Sequence, residues 1–143
     1  MYKDILFPVD ISEKDLHLKT VDMVVGYAKT FKARVHVITV VPDFGLGLVA
    51  QYFPEGTEEK MINEANDALH KFVSDNFPKE IEVQHIVTQG SIYRSILKAA
   101  TDIDADLIVM QAHKPALEDI VVGPNAVKVV RGAKCSVLVV RKS

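Results

Sequence analysis

Gly123, Pro124 and Asn125 form the stretch of this sequence whose residue types best suit binding of an anion. Gly123 fits the N-cap of a helix, and Pro124 then takes the first helical position, which proline favours. The free backbone amide of Asn125 would point out of the helix, where the helix dipole favours negative charge. Lys114, a little upstream, adds a positive charge. Two interpretations stay open, a structural helix cap and a phosphate site. A glycine at a helix start is more often the structural cap.

No residue pattern indicates a catalytic centre or a metal site. The phosphate-binding patterns G-x-x-x-x-G-K-[ST] and G-x-G-x-x-G are absent, as is the hydrolase pattern G-x-S-x-G. The serines show no nearby pattern of histidine and aspartate that suggests a triad: Ser12, Ser74, Ser91, Ser95 and Ser136. The histidines lack metal-ligand spacing, and we expect only the last of them to lie at a ligand site: His17, His36, His70, His85 and His113. We therefore predict no catalytic residues and no dedicated metal site.

The composition suits one globular domain spanning residues 1–143. A net charge of −2 argues against binding to nucleic acid, which favours a basic face. The single cysteine, Cys135, excludes an intrachain disulfide and is expected to be a small buried apolar residue. No apolar run approaches the roughly 20 residues of a membrane span, and the N-terminus lacks the apolar region of a signal peptide. We expect no membrane contact and a cytoplasmic location.

Apolar segments predict five strands, at residues 5–9, 34–41, 81–88, 107–110 and 137–140. The first, fourth and fifth are continuous apolar runs, which suit strands covered on both faces, and the second is rich in β-branched residues. The third alternates apolar and polar residues, which suits a strand near a sheet edge. In the second strand the expected buried residues are Val35, Val37, Val40 and Val41, and His36 is expected to be packed or exposed on one face.

Four helices are predicted between these strands. Ser12 and Thr57 are the expected caps of the first two, which should end near Phe31 and before Pro78. Gly90 and Ser91 open the third, and Gly123 opens the fourth. Apolar residues at helical spacing give the expected core faces: Val21, Val24, Val25 and Ala28; Met61, Ile62, Ala65, Ala68, Leu69, Phe72 and Val73, with His70 on the solvated side; and Ile92, Ile96, Leu97, Ala99, Ala100 and Ile103. The apolar loop at residues 42–56 suits either closure over a ligand or packing on the surface.

Alternation of strands and helices predicts a single doubly wound, Rossmann-like α/β domain, with a parallel sheet and helices on both faces. In such a sheet, ligands bind beyond the carboxyl ends of the strands, where the strand order reverses. The expected binding rim comprises residues 8–10, 40–41 and 110–114, with the helix start at Gly123 facing it.

Four segments together resemble the universal stress protein family over nearly the whole chain. They are Ile5-Leu6-Phe7-Pro8-Val9-Asp10, Gly90-Ser91, Ala105-Asp106-Leu107-Ile108-Val109 and Cys135-Ser136-Val137-Leu138-Val139-Val140. The resemblance implies a five-stranded sheet of order 3-2-1-4-5. It also implies a homodimer whose last strands pair across a two-fold axis, which fits an apolar edge strand that needs cover.

The sequence departs from the ATP-binding pattern of that family, G-x2-G-x9-G-[ST]. The first two glycines are replaced within Gln111-Ala112-His113-Lys114, the spacer is one residue short, and Pro124 stands at the Ser/Thr position. Pro124 removes a hydroxyl and an amide that would contact phosphate, whereas Lys114 adds charge. The loop of small residue, histidine, base and proline resembles the F/G branch of the family.

The resemblance implies binding of ATP or AMP, and if magnesium accompanies ATP, Asp10 would help to hold it. Pro8, Val9, Asp10 and Val40 would line the adenosine pocket, Met110 and Gln111 would lie near the ribose, His113 belongs to the following loop, and Lys114, Gly123 and Asn125 would meet the phosphates. The implied function is a nucleotide-binding regulatory protein of the bacterial stress response without efficient turnover. The alternatives are slow ATP hydrolysis or autophosphorylation, with Ser12 or Ser136 as acceptor, and a dimeric interaction module that has lost the nucleotide.

Overall fold

The structure is a computed structural model that describes residues 1–42, 55–112 and 123–141, without the side chains of residues 14–16. Its strands are β1 (Asp4–Pro8), β2 (Arg34–Val41), β3 (Val83–Gln89), β4 (Leu107–Gln111) and β5 (Ser136–Val140). A 3-10 segment (Ile11–His17) follows β1. The helices are α1 (Leu18–Phe31), α2 (Thr57–Asn76), α3 (Ile92–Asp102) and α4 (Pro124–Gly132).

All five strands pair in parallel, in the order β3-β2-β1-β4-β5. Both the doubly wound fold and the order 3-2-1-4-5 are therefore confirmed. The third strand is at the sheet edge as its alternation predicts, although it begins at Val83 instead of residue 81. Since strand order reverses at β1, a cleft opens where the chain leaves β1 in one direction and β4 in the other.

The core lies in two layers, one on each face of the sheet. The first layer packs α1 and α2 against the sheet through residues that include Val24, Leu69 and Phe7, all fully buried. The second packs α3 and α4 against the opposite face through Ile96 and Val129. Helices on both faces explain why β1 is buried along its whole centre and carries no polar residue there.

Two predicted helix caps are wrong, and α1 begins only at Leu18, after the 3-10 segment, with His17 at its N-cap. Asp10, rather than Ser12, caps the segment after β1, because its carboxylate accepts hydrogen bonds from the Ser12 N–H at 3.0 Å and the Ser12 hydroxyl at 2.6 Å. Gly56, rather than Thr57, is the N-cap of α2. Its φ of 87° lies in the left-handed region, which glycine enters at little cost. The predicted ends of α1 and α2 are confirmed at Phe31 and Asn76.

His36 of β2 and His85 of β3 both contact other side chains of the fold. His36 is buried, contacts Gln84 through Nδ1, and its Nε2 lies 2.9 Å from Asp4 Oδ1. This site is near the amino ends of the strands, so it lies at the edge of the sheet opposite the cleft. His70 is exposed as predicted, and its ring stacks on His85 at a centroid distance of 3.7 Å.

Candidate functional site

A cavity of about 530 Å³ lies at the carboxyl ends of β1, β2 and β4. Its volume falls within the range of small-molecule sites, about 300–1,000 Å³. The 3-10 segment, α2 and α3 complete its described walls. The lining residues are Pro8, Val9, Asp10, Ile11, Ser12, Glu13, His17, Ile38, Thr39, Val40, Val41, Pro42, Met61, Ala65, Ile92, Ile96, Met110, Gln111 and Ala112.

Six of the expected site residues come together in this cavity: Pro8, Val9, Asp10, Val40, Met110 and Gln111. They come from the ends of three strands, which are distant in sequence and adjacent in the sheet. Val40 was expected to be fully buried and is half-buried, because its side chain lies at the cavity wall instead of within the core. The sheet thus places one continuous rim from three separate sequence segments.

The other expected site residues are not in this wall. Gly123 is the N-cap of α4 and Pro124 its first residue, as predicted, but neither Gly123 nor Asn125 lines the cavity. Gly123 accepts the N–H of Val127 through its carbonyl at 3.1 Å, so it serves as the start of the helix. His113 and Lys114 lie outside the described residues, as does most of the loop predicted at residues 42–56.

Asp10 is fixed through both its main chain and its side chain. Its carboxylate is occupied by the two hydrogen bonds from Ser12, and its backbone N–H donates to His17 Nε2 at 3.0 Å. The two ends of the 3-10 segment are thereby joined, and the segment becomes a closed wall of the cavity. Asp10 is exposed, which leaves the rest of its carboxylate facing solvent and the cavity mouth.

His17 is a lining residue that the sequence did not reveal, since His113 alone was expected at the ligand site. Its ring is buried, packs edge-on against Phe7 at a centroid distance of 6.1 Å, and lines the cavity. Because Nε2 accepts a hydrogen bond, the proton of the neutral ring is on Nδ1, which is buried with no partner among the described residues. Burial lowers the pKa of His17, and the nearby Asp10 opposes that shift.

Gln111 is held from the opposite side of the cleft. Its Oε1 accepts a hydrogen bond from the Thr20 hydroxyl, and Thr20 is fully buried at the start of α1. The bond links β4 to α1 across the end of β1. It also fixes the side chain that replaces the first glycine of the nucleotide-binding pattern.

Helices α2 and α3 add apolar walls that were expected to be core. Met61, Ala65 and Ile92 were placed on core faces by their helical spacing, yet all three line the cavity. Ile92 is 47% exposed and Met61 is half-buried. Helical periodicity identifies the face turned towards the sheet, but it does not show whether that face meets packed atoms or a cavity.

The described lining is apolar with an acidic edge. Its charged side chains are those of Asp10 and Glu13, and the described lining contains no lysine or arginine. An apolar ring with a polar edge suits this surface, whereas a phosphate inside the described walls would meet two carboxylates.

Fold and cavity together define a doubly wound α/β protein with a ligand-sized cleft at its switch point, which is the place where the strand order reverses. The family model for the Universal stress protein family matches residues 1–141. The chain therefore belongs to the universal stress protein family.

Two curated relatives match almost the full chain. Universal stress protein G of Escherichia coli O157:H7 is 29% identical over 143 residues, which cover 99% of this chain and 100% of that protein. Universal stress protein MJ0531 of Methanocaldococcus jannaschii is 33% identical over 144 residues, covering 99% of this chain and 84% of that protein.

Solved structures of the family share the fold. The structure of MJ0577, a universal stress protein of Methanocaldococcus jannaschii, has a TM-score of 0.76 at 26% identity and covers 100% of this chain and 98% of that one. A universal stress protein in complex with cAMP has a TM-score of 0.60 at 22% identity, with coverage of 99% and 98%.

In the part of the chain that the structure describes, no helix is long and apolar enough to cross a lipid bilayer.

Proposed function

We propose that this protein is an adenine-nucleotide-binding regulatory protein of the stress response, with ATP or AMP bound in the cleft at the ends of β1, β2 and β4. The observation that carries the proposal is the cavity itself. It has the volume of a small-molecule site and lies at the switch point of the sheet. The relative solved with cAMP is one family member that binds an adenine nucleotide.

The cavity walls suit an adenosine group. Val40 and Met110 offer apolar and polarisable surface on which a base can lie. Asp10 and Gln111 stand at the edge, where a carboxylate and an amide can hydrogen-bond ribose hydroxyls. Phosphates would leave the cavity towards the start of α4, where Gly123 and Asn125 stay the proposed contacts together with His113 and Lys114.

Magnesium would accompany ATP rather than occupy a site of its own. The described residues contain no group of three histidine, cysteine, aspartate or glutamate side chains able to hold a metal ion. Magnesium commonly binds to one or two carboxylates together with substrate phosphates and water. Asp10 fits the part of such a single carboxylate, while its bonds to Ser12 keep it in place.

Isothermal titration calorimetry with AMP and ATP tests the proposal. We expect saturable binding to the wild-type protein and much weaker binding to Ala65→Phe, because the added ring would fill the cavity. A matched control is Ala100→Phe on α3, whose site does not line the cavity. If millimolar nucleotide gives the wild type neither a binding heat nor a change in thermal stability, nucleotide binding is refuted.

One contact favours slow phosphoryl transfer as a second candidate function. The Ser12 hydroxyl lines the cavity and donates to Asp10 Oδ1 at 2.6 Å, so a carboxylate is already placed to take its proton. Ser136 begins β5 at the opposite end of the sheet, which makes Ser12 the better acceptor. Intact-mass analysis after incubation with ATP tests this candidate, with Ser12→Ala as the control, and an unchanged wild-type mass would refute it.

The exposed edge of β5 supports a homodimer. β5 is the last strand of the sheet order, and Val137, Leu138 and Val139 are half-buried in the single chain. An apolar edge strand with unpaired backbone groups favours pairing with a second copy. We propose that two chains pair through this strand.

A further inference from the structure

Tyr93, Arg94 and Lys128 form a cationic cluster between α3 and α4. Arg94 Nε donates to the Tyr93 hydroxyl at 3.0 Å, and its guanidinium carbon lies 5.7 Å from the centre of the tyrosine ring. Lys128 reaches across from α4, and its Nζ lies 4.7 Å from the same centre. One aromatic ring thus holds two positive charges close together, at the distance of cation–π contacts.

Neither cation of this cluster has an acidic partner among the residues that the structure describes. The ion pairs of lysine and arginine there include those of Lys29, Arg34, Lys60, Lys71 and Lys98, and none involves the two cations of the cluster. One of the five N–H donors of Arg94 bonds to the Tyr93 hydroxyl, which leaves four, and the Lys128 ammonium has three donors. Two unpaired cations held beside each other repel, and a bound anion would relieve that repulsion.

The cluster is near the cleft. Ile92, which lines the cavity, immediately precedes Tyr93 and Arg94 at the start of α3. Lys128 is four residues beyond Pro124, about 6 Å along α4 from its first residue. Side chains lean towards the start of their helix, so Lys128 leans towards the rim where α4 begins.

Charge in the cleft directs a phosphate outwards, towards this cluster. Asp10 and Glu13 make the described lining acidic, and a phosphate is repelled from it. Pro124 has neither the side-chain hydroxyl nor the amide that would hold a phosphate at the start of α4. Positive charge supplied by α3 and the middle of α4 compensates for both effects.

We propose that Arg94 and Lys128, positioned by Tyr93, form a phosphate-binding site at the rim of the cleft. In its simplest form the site receives the phosphate chain of the nucleotide, and to that extent it rests on the proposed function. A free inorganic phosphate or pyrophosphate has the same chemistry and is the alternative source of the anion.

Tyr93 itself reports the local field. Its pKa is lowered, first by the hydrogen bond from Arg94, then by the charge of Arg94, and to a lesser degree by the charge of Lys128. A field that favours the phenolate also favours other anions at the same place.

The test compares adenosine, AMP and ATP by calorimetry with the wild type and the double variant Arg94→Gln, Lys128→Gln. Wild-type affinity should rise with phosphate number. The double variant should bind ATP roughly tenfold or more weakly, since hydrogen bonds to charged groups are involved, and bind adenosine within about twofold of the wild type. Lys98→Gln, also on α3 but paired with Asp102 at 2.7 Å, is the matched control and should retain wild-type ATP affinity.

A second arm titrates pyrophosphate alone and follows the Tyr93 ring signals by NMR. Saturable shifts that disappear in the double variant support the site even if no nucleotide binds, in which case the proposed function fails and the free anion is the source. Equal wild-type affinity for adenosine and ATP, together with no saturable pyrophosphate shift, would overturn the site and leave the cleft as a nucleoside pocket. Equal ATP losses in the double variant and Lys98→Gln would also overturn it.

Discussion

Asp10 shows how one residue is fixed for binding by two neighbours. Its carboxylate accepts two hydrogen bonds from Ser12, and its backbone N–H donates a hydrogen bond to His17. Both contacts lie within the same short segment, so the position of Asp10 depends little on the rest of the chain. Because folding already orders the Asp10 side chain, a ligand that contacts it causes little further loss of side-chain entropy on binding.

The lowered pKa values of His17 and His85 predict that acid destabilises the fold. Burial is the main cause for both, and the charge of His70 adds to the shift of His85. The folded protein thus binds fewer protons than the unfolded chain below the ordinary histidine pKa of 6.5. The free energy of unfolding should fall as pH decreases through that value towards the folded-state pKa values.

Urea unfolding from about pH 7.5 to about pH 5.5 measures this dependence. The variant His17→Gln, His85→Gln should lose part of the slope, because glutamine does not titrate. The amide oxygen of the glutamine that replaces His17 can still accept a hydrogen bond, so the wall of the cavity keeps that contact. A variant with the full wild-type slope would contradict the assignment.

The residues at the strand ends could be predicted from sequence, and those on the helices could not. Pro8, Asp10 and Met110 follow from parallel topology, because carboxyl ends of strands meet at one rim. His17 gives no such signal, since its role depends on a bond to Asp10 seven residues earlier, across a 3-10 segment that periodicity does not detect. Met61 has the same spacing as core residues.

At the scale of elements, Asp106 ties the start of β1 to the turn before β4. Its carboxylate accepts the Lys3 N–H at 2.8 Å and the Asp4 N–H at 3.1 Å. These amides begin the central strand, where β1 has partners on both sides.

Asp106→Ala should therefore lower the free energy of unfolding by about 1.5–3 kcal/mol, the net contribution of a hydrogen bond to a charged group. Asp102→Ala, which removes an exposed pair with Lys98, should change it by at most about 0.5 kcal/mol. Chemical denaturation of both variants measures the difference, and equal effects would show that Asp106 has no special role.

Element types were predictable because their periodicity is strong, and element ends were less so. The apolar runs at β1 and β4 and the helical spacing on α1 each admit one interpretation. The start of α2 was displaced by one residue because Gly56 can take a positive φ, which lets it precede the helix without a side-chain cap. The sequence does not distinguish Ser12 from Asp10 as the N-cap, because serine and aspartate are both good capping residues.

At the scale of the molecule, the edge strand β5 predicts association. Val139 is half-buried and belongs to neither layer of the core. Val139→Lys should convert a dimer to a monomer in analytical ultracentrifugation, because a charge would be buried at the pairing edge. Val130→Lys, at an exposed position of α4, is the control and should stay dimeric. A wild-type monomer at all concentrations would contradict pairing through β5.

The four methionines allow the most direct test of nucleotide binding in the cleft. Met61 of α2 and Met110 of β4 line the cavity, whereas Met1 is exposed and Met23 packs against the α1 and α2 layer. In a titration with AMP followed by methionine-methyl NMR, the Met61 and Met110 signals should shift saturably while those of Met1 and Met23 stay in place. Four unmoved signals, or shifts of Met1 and Met23 equal to those of the cavity pair, would contradict a nucleotide site between β2, β4 and α2.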